Sequence, residues 1–173
     1  HPKVWRGHSD TETLLACFDA WGIKATVECA VGMFAFAVWD REEKTLILCR
    51  DRCGEKPLYY GWQGSGSDSV FIFASEIKGL KVHPNFRAQI DRNSLALYMR
   101  HSNVPAPYSI YEGIFKLMPG TFLTLSLECR KPFIETYWSG ASVALNGISH
   151  PYGGSPTEAV ESLDYLLRNS ISK

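Results

Sequence analysis

Polar Ser9-Asp10-Thr11-Glu12 gives way to Leu14, Leu15, Phe18 and Trp21 at helical spacing, and Gly22 ends the run. A serine followed three residues later by glutamate, just ahead of an apolar stripe, is a capping-box signature. It predicts that Ser9 accepts from the Glu12 amide and that Glu12 reaches back to Ser9. Residues 23–30 fit no clear period. From 33 to 39 the chain is aromatic and small-residue rich, which predicts a strand packed on both faces. Residues 45–49, 57–62 and 70–74 read as three more strands, with a turn at Arg52-Cys53-Gly54-Glu55-Lys56 and a flexible link at Gly64-Ser65-Gly66-Ser67-Asp68. Together they predict one meander of adjacent antiparallel strands. Ser75 is the expected cap of a short helix through Leu80.

Asp91 is placed to cap a helix through Arg100, and Pro105 and Pro107 break the chain after it. Met118-Pro119-Gly120 turns into an alternating strand over 121–127, which 131–138 is expected to pair. Residues 139–154, rich in Gly, Ser and Asn, read as a linker. Ser155-Pro156-Thr157-Glu158 is a second capping box, with proline where its missing N–H costs nothing. Val160, Leu163, Leu166, Leu167 and Ile171 form the apolar stripe of the helix behind it. A stripe that runs to the last residue is expected to continue into a further domain.

Composition narrows the class. Eighteen Lys and Arg balance eighteen Asp and Glu over 173 residues, and 45% of the chain is hydrophobic. Such a chain is globular rather than disordered. Zero net charge argues against a nucleic-acid partner, whose binding needs surplus Lys and Arg. The longest apolar stretch, 30–39, is too short for a bilayer, which takes about 20 residues. The start, His1-Pro2-Lys3-Val4-Trp5-Arg6, has no apolar core of a signal peptide. Five scattered cysteines give no disulfide framework, and a reducing cytoplasm is the expected location.

Metal chemistry has little support in the sequence. The five histidines never fall at the i, i+4 spacing of a zinc face, and Cys49-x-x-x-Cys53 stands without a second pair. A structural zinc takes about four ligands, so the cysteines read as buried free thiols and no metal is expected. The glycine stretches at 64–67 and 153–155 lack the Gly-Lys-Ser/Thr ending of a phosphate loop. The aromatic strands read as core rather than as a stacking platform for single-stranded nucleic acid. Asp10, taken alone, is a first-turn carboxylate of the kind the helix dipole favours by about 0.3–1 kcal/mol.

Several strings change that picture together. They are Trp5-Arg6-Gly7-His8-Ser9-Asp10-Thr11-Glu12, Gly32-Met33-Phe34-Ala35-Phe36-Ala37 and Trp39-Asp40. Further along come the run from Arg50-Asp51-Arg52-Cys53 to Tyr59-Tyr60, Phe73-Ala74-Ser75-Glu76-Ile77-Lys78, the run from Ile114 to Gly120, and Tyr137-Trp138. In order and spacing they resemble the glutaminase domain of glutamine-hydrolysing asparagine synthetases. The resemblance implies an α+β fold of the N-terminal-nucleophile (Ntn) hydrolase type, an αββα sandwich. It implies glutamine hydrolysis in one domain and ammonia transfer to a second. There aspartate is activated by ATP with Mg²⁺ as an acyl-adenylate and becomes asparagine. The family nucleophile is an N-terminal cysteine whose own α-amino group serves as base. Asp10 matches the carboxylate that holds the α-ammonium of glutamine, and Arg50-Asp51 and Ser75-Glu76 read as structural.

The chain departs from the pattern at both ends. It begins at His1, and none of its five cysteines is terminal. The family's early arginine, its Asn-Gly-Glu segment and its pyrophosphate loop are absent. The expectation is therefore an internal piece. Residues 1–138 are the later glutaminase domain, 139–154 a linker and 155–173 the first synthetase helix. No catalytic residue and no bound cofactor are expected in it, and by itself it is expected to be inactive. Apolar surface left uncovered allows a homodimer. An amidotransferase for another carboxylate, and a non-catalytic glutamine-binding or assembly module, are the alternatives. Cys53 stands in a turn where a larger apolar residue is usual, and nothing in the sequence explains it.

Overall fold

A computed structural model describes residues 5–172; residues 1–4, part of the N-terminal stretch read for a leader, and Lys173 lie outside the described residues. The chain forms two compact units, 1–139 and 140–173. In the first, α1 (Asp10–Trp21) and α2 (Ile23–Cys29) precede β1 (Ala35–Asp40) and β2 (Thr45–Arg50). Next come β3 (Tyr59–Gln63), β4 (Val70–Ala74), α3 (Ile77–Lys81) and α4 (Arg92–His101), then β5 (Ile114–Lys116), β6 (Thr121–Ser126) and β7 (Phe133–Thr136).

The expected single meander is two antiparallel sheets. One runs β1-β2-β6-β7 and the other β4-β3-β5. The β1–β2 and β3–β4 hairpins form as read from sequence, but β2 pairs with β6, with Leu48 opposite Leu123, and β3 pairs with β5. Residues 51–58 carry the chain from one sheet to the other. Sequence proximity favours β2–β3 pairing, and the junction described below overrides it.

Side-chain alternation then sets the layers. Leu48 of β2 and Leu123 and Leu125 of β6 meet Leu58, Tyr60 and Leu117 in a core shared by the two sheets. The alternate residues Cys49 and Phe122 face the other way, onto Val27 of α2. Phe18 of α1 reaches the same layer, its ring 5.3 Å from that of Phe36. On the far side of the second sheet, Ile72 and Ile114 pack with Leu80 of α3. β6 is covered on both faces, so its burial is nearly continuous rather than alternating. β1 lies at a sheet edge, so it is only partly covered and Trp39 is 47% exposed.

Local signals were kept or shifted for identifiable reasons. Gly22, at φ 79°, ends α1 and its N–H bonds Phe18 O at 2.9 Å. Asp91 caps α4, accepting from the amides of Asn93 at 2.8 Å and Ser94 at 3.2 Å. Ser75 is not the cap of α3: Glu76 holds that position, with no side-chain cap bond. 

In the second unit, α5 (Gly140–Ser149) occupies most of the stretch read as a linker. Ala141, Val143, Ala144 and Leu145 carry enough helix-compatible residues to outweigh the glycines. The box at Ser155 forms in full, with Ser155 Oγ accepting from the Glu158 amide at 3.3 Å and Glu158 accepting from the Ser155 amide at 2.8 Å, and opens α6 (Pro156–Ile171). Replacing Ser155 with alanine is expected to cost the first turn about 1 kcal/mol. Amide hydrogen exchange at Glu158 and Ala159 should quicken about fivefold, and unchanged rates would show that the box contributes nothing.

Candidate functional site

Asp10 is the first residue of α1 and is exposed. It sits at the lip of a depression of about 670 Å³ lined by the 5–10 stretch and Thr13. The stretch is held by one side chain. Glu12 accepts from the amides of Arg6 and Gly7, both at 2.9 Å. Glu12 therefore does not close the expected box onto Ser9; it reaches past it and folds the preceding backbone over the start of the helix. Ser9 Oγ instead accepts from Thr11 N at 3.2 Å and lies 3.4 Å from Asp10 Oδ1. Among the described residues no cation pairs with Asp10. The carboxylate is open to a cationic group from solution, such as an ammonium.

Arg6 and Thr13, which line the same depression, were not singled out from sequence. Their signal was the Ser9–Glu12 spacing, which marks the helix start but not the backward reach of Glu12.

The Arg50–Lys56 turn proves to be a junction rather than a site. Asp51 is fully buried, and its carboxylate accepts from the amides of Glu55 and Lys56, both at 2.9 Å. Burial alone pushes an aspartate up, but the backbone groups of Lys56, Glu55, Gly54 and Phe34 outweigh it and hold the group below its ordinary value. Arg50 donates to Lys56 O at 2.9 Å, to Leu117 O at 2.7 Å and to Gly54 O. Gly54, at φ 70°, lets the turn close there. These bonds join β2, the turn and the approach to β6, as a structural reading requires.

Cysteine chemistry is spread thin. Cys49 is buried, and loss of solvent pushes its thiol up to about 12, which leaves it unreactive. Tyr137 Oη donates to Arg50 O at 2.9 Å beside it. Cys17 is half-buried, while Cys29, Cys53 and Cys129 are exposed, so the expectation of buried thiols holds only for Cys49. None of them lines the Asp10 depression. Among the described residues no group of three or more His, Cys, Asp and Glu could hold a metal ion. No helix among them is long and apolar enough to cross a membrane.

Against known proteins, residues 1–138 match the model of a glutamine amidotransferase domain. That stretch ends one residue before the break between the two units. The chain is similar to asparagine synthetase [glutamine-hydrolyzing] 3 of Bacillus subtilis, with 38% identity over 175 residues, 97% of this chain and 26% of the relative. Asparagine synthetase [glutamine-hydrolyzing] 2 of the same organism is 29% identical over 178 residues, 100% of this chain and 23% of the relative. Asparagine synthetase [glutamine-hydrolyzing] 1 is 38% identical over 117 residues, 68% of this chain and 18% of the relative. The chain thus spans about a quarter of the length of the curated relatives it matches.

Proposed function

The chain belongs to the family of glutamine amidotransferase domains, and from that premise we propose that it is the glutaminase portion of a glutamine-dependent asparagine synthetase. The names of its relatives support the reading. So does a helix–sheet–sheet–helix order that suits an Ntn-type sandwich. In the proposal glutamine binds at the start of α1, its side-chain amide is hydrolysed, and the ammonia goes to aspartate activated with ATP. The products are asparagine, AMP and pyrophosphate.

One observation carries the proposal: Asp10 presents, at the lip of a depression built by residues 5–10, a carboxylate with no cationic partner among the described residues. Its role is to hold the α-ammonium and so orient the substrate amide. In the open structure such a pair is worth about 0–1 kcal/mol. In a depression closed around substrate, removing one partner of a hydrogen-bonded charge pair costs about 2–5 kcal/mol, much of it the charge left unpaired. The nucleophile in the proposal is the family's N-terminal cysteine. Its α-amino group, with a typical pKa of about 7.7–8.0, is the base. In the proposal ATP and Mg²⁺ are used by a second domain of the parent enzyme, of whose relatives this chain spans about a quarter. A cytoplasmic location and a homodimer are parts of the same proposal.

The test is Asp10→Asn in the intact parent enzyme. Glutamine-dependent kcat/KM is expected to fall at least tenfold, with synthesis from free ammonia unchanged. Equal loss with both nitrogen sources would assign Asp10 to folding instead. Sequencing the mature N-terminus adds an independent check, because the proposal requires a leading cysteine there.

A further inference from the structure

A second cavity, of about 450 Å³, shares no lining residue with the Asp10 depression. Tyr59 of β3, Lys116 of β5, Ile77 of α3 and α4 enclose it, together with the loop from Asn103 to Ile110. Its volume falls in the range of about 300–1,000 Å³ usual for small-molecule sites. Ile77, Ile90, Leu95, Val104 and Ile110 make its walls, and Ile90 and Leu95 stay 50% and 40% exposed at the rim.

One cation stands in this apolar lining. Lys116 Nζ donates to Val104 O and lies 6.0 Å from the centre of the Tyr59 ring. An ammonium has three donors, so a donor remains for a ligand. None of the ion pairs among the described residues uses Lys116. Burial, then repulsion from nearby Arg50, make its charge costly where it is. From helix α4 the cavity takes Leu95 and Tyr98. Among the described residues, Lys116 is the one charged side chain in the lining of this apolar hollow.

We propose that this cavity binds a small monocarboxylate with an apolar body, its carboxylate on Lys116 Nζ and its body among Ile77, Ile90, Leu95 and Ile110. The single ammonium selects one negative charge. A phosphate dianion would carry a second charge into apolar walls, where an unpaired charge is strongly disfavoured. A neutral apolar molecule would leave the lysine uncompensated. The site is distinct from the Asp10 depression and does not depend on the glutamine reading.

The test uses two probes that share one carbon skeleton and differ in the head group, charged in 4-phenylbutyrate and neutral in 4-phenyl-1-butanol. Binding to the full chain is measured by calorimetry and by amide shifts at Leu95, Ser109 and Ile110. The acid is expected to bind at least tenfold more tightly than the alcohol. Lys116→Met should abolish that gap and leave the alcohol unchanged, and Lys116→Arg should keep it. Ile90→Trp, a rim change that fills the hollow, should weaken both probes tenfold and serves if Lys116→Met does not fold. Glutamine should not displace the acid. Equal affinities in the unaltered chain, shifts confined to other surfaces, full binding in Ile90→Trp or displacement by glutamine would overturn the proposal.

Discussion

Gly61→Ala should cost the amidotransferase unit about 3 kcal/mol or more and lower its melting temperature sharply. Gly61 is buried in the central strand β3, opposite Ile72 on one side and Ile114 on the other. A Cβ there would run into the carbonyl oxygen of Gly113, with Ile114 Cα at 3.1 Å behind it. The obstacle is backbone at the mouth of β5, not a side chain that can swing away. Relief requires β5 to move off β3, which opens the contact between Ile114, Ile72 and Leu80. Chemical denaturation of the variant checks this. A stability within about 0.5 kcal/mol of the parent would mean that β5 is free to shift.

The second large effect is expected at the sheet-to-sheet junction. Asp51→Ala removes the buried acceptor of the Glu55 and Lys56 amides, both bonds part-buried. Hydrogen bonds to a charged group contribute about 1.5–3 kcal/mol, and water reaches the freed amides in part, so the loss should be about 2 kcal/mol. The pH dependence has a definite sign. The folded state holds this carboxyl below its ordinary value, so the unfolded chain binds more protons in the acid range. The contribution is fully present above the ordinary aspartate value, about pH 4, and is lost as pH falls through the folded value. Asp51→Asn should therefore lose stability at neutral pH and show a flatter acid limb than the parent. An unchanged acid limb would place the pH sensitivity on another group.

The local elements were legible because local physics forms them. Asp91 and Ser155 are helix starts in sequence and in structure, for the same hydrogen bonds. The strands at Thr45–Arg50, Tyr59–Gln63 and Val70–Ala74 follow their apolar runs closely. Readings failed where a partner distant in sequence decides. Glu12 had two acceptable targets, Ser9 or the backbone before it, and the path of residues 5–8 chose the second. The stretch 139–154 is a different case, a local one: Gly, Ser and Asn suggest a linker, although Ala and Leu between them sustain a helix over Gly140–Ser149.

The candidate site divides in the same way. Asp10 was identifiable because its string and its helix start coincide. The depression beside it was not, because the 5–10 backbone shapes it. The Lys116 hollow left no trace in sequence: Tyr59, Ile77, Leu95 and Ile110 carry no common motif.

By itself, then, the sequence determined a neutral α+β chain, the helix caps at Asp91 and Ser155, its hairpins and its family, since each rests on short-range chemistry. Only the tertiary structure decided that β2 leaves β3 for β6. There the buried Asp51 binds its own turn, which hydrogen bonding favours, and Leu48 packs with Leu123 and Leu58 across two sheets, long-range contacts that burial favours and that no local pattern encodes.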